Sequence, residues 1–281
     1  MKNKILSAAP SRRQFILNGA QALAAGWAGS SLAETASMPR SETLVQQLYG
    51  SLKEEQRKAL CFAYDDPRRL KVDNNWHIVP QRLRDTLGAD QQDLVRQIFD
   101  GLHSEEYKKE VWRQFDHDNK GDGGFASSSI ALFGEPGQGK FQFVLTGRHC
   151  TRRCDGDSEA GVAFGGPIFY GHAAKGFYEK PGHEGNAYWF QAKRANEVFQ
   201  ALDGRQRELA LLGDARDEAG NKTIKLTGKT KGLEGIPMTE LSADQKGLVR
   251  LVLADLLKPF RKEDAAETLK LIEAAGFDHL H

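Results

Sequence analysis

The chain has 281 residues, 40% of them apolar, with 39 basic and 38 acidic side chains and a formal net charge of +1. That balance excludes a sequence-independent grip on nucleic-acid phosphates, which needs a basic field. Three cysteines, Cys61, Cys150 and Cys154, make a poor disulfide framework, with at most one bridge and one thiol left over.

The first 33 residues carry Lys2, Lys4, Arg12 and Arg13 and no acid. A weakly apolar stretch, Phe15 to Ala28, is broken by Asn18, Gly19, Gln21 and Gly26, and Ser31-Leu32-Ala33 fits a small-x-small cut. A basic start, an apolar middle and a small-residue site define a removable export segment. The Arg12-Arg13 pair ahead of that core resembles a twin-arginine signal. The run is too short and too broken for a membrane span of about 20 residues. The expected division is a signal peptide over 1–33, a linker over 34–40 and one α+β domain over 41–281. The expected course is transfer by the twin-arginine export machinery and cleavage near Ala33. It ends in a periplasmic or otherwise exported location, with no stable membrane span. Cleavage leaves 35 basic against 38 acidic side chains, a net charge of −3, so no nucleic-acid partner is expected. The pairs Arg68-Arg69 and Arg152-Arg153 are expected on solvated surface.

Ser41 is placed to cap a helix running to about Leu60, with Leu44, Val45, Leu48 and Leu52 at helical spacing. Asp65-Asp66-Pro67 is a turn signal, and Trp76-His77-Ile78-Val79-Pro80 reads as extended, because the residue before proline avoids the helical region. Helices follow over about 90–102 and 104–115, then a polar, glycine-rich loop from Asp116 to Gly124. Ser129–Phe133 reads as a strand, and Glu135-Pro136-Gly137-Gln138-Gly139 as a hairpin turn. A second strand begins at Phe141 and continues towards Cys154, and a third covers Val162–Tyr170. Helices return at about 193–203, 205–212, 242–257 and 263–275, the third capped by Ser242 and the last stopping at Gly276. The fold class expected is α+β, an antiparallel β-meander in mid-chain flanked by N-terminal and C-terminal helices.

A series of short elements carries a resemblance. It includes Cys61-Phe62 with Asp66-Pro67-Arg68, Trp76-His77-Ile78-Val79-Pro80, Phe133-Gly134-Glu135-Pro136, Gly147-Arg148-His149, Pro167-Ile168-Phe169-Tyr170-Gly171 and Gly235-Ile236-Pro237. In this order they resemble the bacterial exported family catalogued as domain of unknown function 3500. The resemblance implies a fold unit and a compartment, not a reaction. His77 matches the family's tryptophan-histidine element and His149 a histidine after the glycine on the second strand. Relatives tend to carry a histidine pair where Arg148-His149 stands, an apolar residue at Cys150 and an asparagine-like residue near His172.

Imidazoles and thiols concentrate at His149, Cys150, Cys154, His172 and His183. Such donors suit zinc, copper or iron. The metal ligands expected are His77, His149, His172 and Cys150, with His77 and His149 as the candidate catalytic pair, ligands or general base. His149 and Cys150 point to opposite faces of a straight strand, so both reach one ion only across a bulge. His149 meets His172 if the second and third strands pair and the chain turns back near Gly171. The competing expectation is that His149 is a hydrogen-bonded histidine of structural role. Asp116-His117-Asp118-Asn119-Lys120-Gly121-Asp122 is similar to the start of a calcium loop, but Lys120 and Ser127 stand where oxygen ligands are needed. Two functions remain open: a metal-dependent enzyme with a histidine pocket for a small-molecule substrate, or a non-catalytic exported binding or accessory protein. Phe177, Tyr178, Tyr188, Trp189 and Phe190 are candidates for a pocket wall.

Overall fold

A computed structural model describes residues 40–172, 183, 186–213, 224, 226–229 and 231–281. The Arg12-Arg13 signal, Ala33, Phe177 and Tyr178 lie outside the described residues.

The N-terminal helical stretch is divided. Helix α1 spans Ser41–Ser51 and α2 spans Glu54–Leu60, separated by extended Leu52 and Lys53. Leu44, Val45 and Leu48 of α1 are fully buried. Strand β1, Cys61–Phe62, follows, then Pro67–Leu70 forms a 3-10 turn capped by the Asp66 carboxylate, which accepts from the Arg68 amide. After the short helix α3, Leu83–Thr86, come α4, Ala89–Gly101, and α5, Lys108–Asn119.

Strands β2, Ser129–Gly134, β3, Phe141–Gly147, β4, Cys150–Cys154, and β5, Phe169–Tyr170, complete a sheet of order β1-β2-β3-β4-β5. β2 to β5 pair antiparallel in sequence order, as a meander does, whereas β1 is parallel to β2. The parallel edge departs from a pure meander. It arises because β1 enters after α2 and the chain returns through three helices before β2, a crossover rather than a hairpin. Two further strand boundaries differ. The strand expected to run from Phe141 to Cys154 reverses at Arg148-His149, so that Gly147 pairs with Cys150. Only Phe169–Tyr170 of the expected third strand pairs, because Ala163–Gly165 forms a 3-10 turn.

The three central strands, β2 to β4, are buried on both faces. Side chains alternate along β4, so Arg152 and Arg153 point to opposite sides. Both are 2% exposed, which corrects the expectation of solvated surface. Arg152 enters the face covered by α4, within 5.7 Å of the Phe99 ring. Arg153 donates to the carbonyls of Arg69, Lys71 and Pro167 and to Gln142 on the other face. There the Trp76–Val79 segment also lies: Trp76 Nε1 donates to Thr151 Oγ1 at 2.9 Å, and the Ile78 amide to Thr146 Oγ1 at 3.0 Å.

The C-terminal part contains α6, Trp189–Gln200, α7, Gly204–Ala210, α8, Ala243–Leu257, and α9, Lys262–Gly276. Ser242 caps α8 by accepting from the Gln245 amide. A separate apolar cluster of Leu202, Ile236, Met238, Leu241 and Phe277 forms here. Contacts to the sheet core include the Arg261–Glu42 ion pair at 3.1 Å and a bond from Tyr170 Oη to the Leu256 carbonyl at 2.6 Å. Among the described residues no helix is long and apolar enough to cross a membrane, and all three thiols are free.

Candidate metal centre

The stretch from Asp116, expected as a loop, continues α5 to Asn119. Val111, Gln114, Phe115 and Asn119 are all buried, so one face of the helix packs inward to its last residue. Gly123 and Gly124, at φ +94° and +68°, then turn the chain away. Asn119 Nδ2 donates to the Phe115 carbonyl at 2.8 Å and to the Arg148 carbonyl at 3.3 Å. That second bond ties the end of α5 to the β3–β4 reversal, and with it His149 to Asp118. A calcium loop is incompatible with helical backbone at these positions.

His149 sits at φ +51° in the two-residue reversal, a left-handed conformation that glycine or asparagine usually takes. Its amide donates to the Asn74 carbonyl at 2.7 Å, which holds the strained residue in place. His172 arrives from the other side. Tyr170 pairs with Cys150, so the residues just past β5 run alongside those just before β4.

Both histidines meet one carboxylate. His149 Nδ1 lies 3.0 Å from Asp118 Oδ2, and His172 Nδ1 lies 3.0 Å from Oδ1. Gln114 Nε2 donates to Oδ2 at 2.7 Å. The Asp118 side chain is 1% exposed. Burial works against its ionisation, but the hydrogen bonds from His149 and Gln114 outweigh burial and hold its carboxyl below the usual range. An ionised acceptor fixes the proton of the His149 imidazole on Nδ1, whereas an ion held between His172 and Asp118 would take the place of the proton between Nδ1 and Oδ1.

His117 adds a third imidazole, exposed, with its ring centroid 5.1 Å from that of His172 and 5.9 Å from that of His183. Ligand atoms of His117, Asp118 and His172 all lie within 4.8 Å of one another. Imidazole and carboxylate donors at this spacing fit zinc, iron(II) or copper. Their position also suits a cation, because the carbonyl end of a helix carries partial negative charge.

The other expected ligands are elsewhere. His77 packs by the Ser127 backbone, Arg82 and Asp122, and burial together with the Arg82 charge lowers its pKa. Cys150 is 1% exposed within the apolar core, and burial pushes its thiol up. Neither belongs to the group of close ligand atoms among the described residues. His117 and Asp118 are additions to the expected set; the signal for them is the helical spacing of Val111, Phe115 and Asn119, which carries the helix past the start of the expected loop.

A cavity of about 400 Å³ adjoins His172 and is walled by Tyr170, Tyr188, Trp189, Gln191 and Leu256. No curated protein and no solved structure matches the chain. The profile of the family described as "Protein of unknown function (DUF3500)" matches residues 34–281, and the chain belongs to that family.

Proposed function

We propose that the protein binds a first-row transition ion, zinc foremost, through His117, Asp118 and His172, and presents it to a small molecule in the adjoining cavity. The observation that carries this reading is the mutual approach of the three ligand atoms to within 4.8 Å. His149, bonded to the opposite oxygen of Asp118, is the positioning residue. Three protein ligands leave a tetrahedral ion one open position, the pattern of catalytic rather than structural zinc sites. Such an ion supplies Lewis-acid chemistry or an activated water when bound. The chain's own residues do the rest: Asp118 holds His149 through Oδ2 and offers Oδ1 to the ion, and the cavity beside His172 receives the organic partner.

The same proposal makes the protein an exported one. The support is the Arg12-Arg13 signal, with cleavage near Ala33 and passage in the folded state through the twin-arginine machinery. Folded export allows the ion to be acquired before transfer. R12K/R13K should retain the chain in the cytoplasm, and mature chain appearing outside at the wild-type level would refute the route.

Metal analysis after gentle purification, followed by cobalt(II) titration, tests the centre. Expected are about one ion per chain and visible d–d bands of a four- or five-coordinate site, both lost in His117→Ala and His172→Ala. A protein that takes up neither zinc, copper nor iron and gives only the spectrum of aqueous cobalt would overturn the reading.

A further inference from the structure

His103 follows the end of α4, is 3% exposed, and has both ring nitrogens engaged. Arg152 Nε donates to His103 Nε2 at 2.8 Å, so Nε2 keeps its lone pair. The ring proton therefore sits on Nδ1, which donates to the Phe99 carbonyl at 2.7 Å. The ring fits its place only when neutral. A second proton, on Nε2, would point at the Arg152 N–H and set two buried positive charges in contact. The charges acting most strongly on His103 are all positive: Arg152 of β4 first, then Lys108 at the start of α5 and Arg261 at the head of α9. The carboxylates on neighbouring elements have bonds elsewhere: Asp100 to Trp112, Glu105 to Lys108, Glu42 and Asp264 to Arg261, and Asp255 to Arg194 and Lys258.

The same ring closes the junction with the C-terminal helices. His103 forms an isolated bridge to Phe260, in the turn between α8 and α9, and the two rings stack with centroids 5.9 Å apart. Beside it the Ser104 amide donates to the Pro259 carbonyl and Ser104 Oγ to the Lys258 carbonyl, each at 3.0 Å. Phe260 is 2% exposed, a plug in a socket of His103, Arg152, Phe164 and Tyr170. The helices behind the plug have cohesion of their own. They share the separate apolar cluster, and the Arg194–Asp255 pair ties α6 to α8 at 3.1 Å. The cavity beside His172 straddles this junction: Tyr170 and His172 come from the sheet side, Trp189, Gln191 and Leu256 from α6 and α8.

We propose that His103 and Phe260 form an acid-released latch, in which protonation of the His103 ring expels the Phe260 plug, frees α6, α8 and α9 from an intact sheet and opens the cavity beside His172. The sign follows from the docked geometry. Burial and the Arg152 charge hold the docked ring neutral, whereas a released ring meets water and titrates near its ordinary value of about 6.5. The docked state is thus fully favoured above that pH and loses ground as pH falls below it. The released fraction rises about tenfold per pH unit there, and about thirtyfold between about pH 7.5 and 5. None of the latch residues is a ligand of the proposed ion, so the latch does not depend on the metal reading.

Amide hydrogen exchange read by NMR over that pH range, corrected for the chemical exchange rate at each pH, tests the latch. The Ser104 amide, bonded to the Pro259 carbonyl, reports release. The Val144 amide, on the central strand β3, reports unfolding of the sheet. Expected is a fall in Ser104 protection of about thirtyfold from about pH 7.5 to 5, ending about tenfold or more below that of Val144. Equal protection of the two amides at every pH would overturn the proposal, because release would then require the whole fold to open. Ser104 protection independent of pH would overturn it as well. His103→Gln offers Arg152 a neutral acceptor that takes no proton, and should reduce the pH response of Ser104 to less than about threefold. A full response in that variant assigns the acid effect to other groups and overturns the latch. Should the variant not fold, the wild-type ring decides. Its nitrogen resonances should show a neutral imidazole protonated on Nδ1 down to about pH 5, and a folded-state midpoint at about pH 6 or above would overturn the proposal.

Discussion

Replacing Asp118 by asparagine keeps the shape of the side chain and removes one acceptor and the charge. The carboxylate is 1% exposed and accepts at Oδ2 from His149 and Gln114, and at Oδ1 from His172. An amide has one oxygen. If that oxygen serves His149 and Gln114, the amide nitrogen faces Nδ1 of His172, which must change tautomer or lose its bond. One charge-assisted bond disappears and the others become neutral, a loss of about 3 kcal/mol. Relief of a negative charge at the carbonyl end of α5 returns about 0.5 kcal/mol. The expected net cost is therefore roughly 2–3 kcal/mol in the metal-free protein. Urea unfolding after chelation measures it, with Asp116→Asn, exposed and two residues earlier, as the control. The pH dependence has a fixed sign. The folded-state pKa is depressed, so the stabilisation is present above the unfolded value of about 3.9 and is lost as pH falls through the folded one. The gap between wild type and Asp118→Asn should close in acid. A variant within about 0.5 kcal/mol of wild type at neutral pH would refute the hydrogen-bond argument.

Three further outcomes are expected from other parts of the structure. His103 is held neutral by burial and by the Arg152 charge, whereas the unfolded chain protonates it below about 6.5; stability should fall by about 1.4 kcal/mol per pH unit below that point, and His103→Gln should lack that slope in urea titrations between about pH 5.5 and 7. Arg261 joins Glu42 of α1 at 3.1 Å and Asp264 of α9 at 2.7 Å, all at most 19% exposed at the side chain, so Arg261→Ala should cost about 3 kcal/mol by chemical denaturation, and a loss below about 1 kcal/mol would contradict the pairing. Leu132 of β2 is 0% exposed, and Leu132→Ala should cost about 2–5 kcal/mol in the same assay.

The helices are legible because their apolar residues recur at helical spacing and their ends carry caps, as Ser242 and Gln245 do for α8. The sheet is legible as alternation from Ser129 onward, but its turns are not. Arg148-His149 reverses the chain without a glycine or asparagine at the left-handed position, because tertiary bonds to Asn74 and Asn119 hold the backbone there. Local composition carries no trace of those partners. The same bonds explain the mixed fate of the site residues. His149 and His172 can be named from their type and placed by strand pairing, whereas His117 and Asp118 sit in a stretch whose composition reads as loop. Glycine-rich composition after Asn119 masks a helical face that in fact continues through Phe115 and Asn119.

The arginine pair on β4 is where charge patterning misleads, because two adjacent cations on a strand can be buried one to each face. Arg153 reaches three backbone carbonyls and Gln142, and burial, with Arg69 nearby, pulls its pKa down to about 9. Arg152 reaches a neutral histidine and a carbonyl, with the rings of Phe99, Tyr170 and Phe260 at 5.3–5.7 Å. Carbonyl dipoles and ring faces can solvate a guanidinium without neutralising it. Among the described residues neither arginine is matched by a carboxylate, so the sheet interior keeps a positive field. On one face that field is enclosed by carbonyls from residues 69, 71 and 167. On the other it extends to Tyr170 and Tyr188, where the cavity begins. The ligand cluster has its own negative charge, from Asp118 and the carbonyl end of α5. The cavity and the ligand cluster share His172 as their boundary.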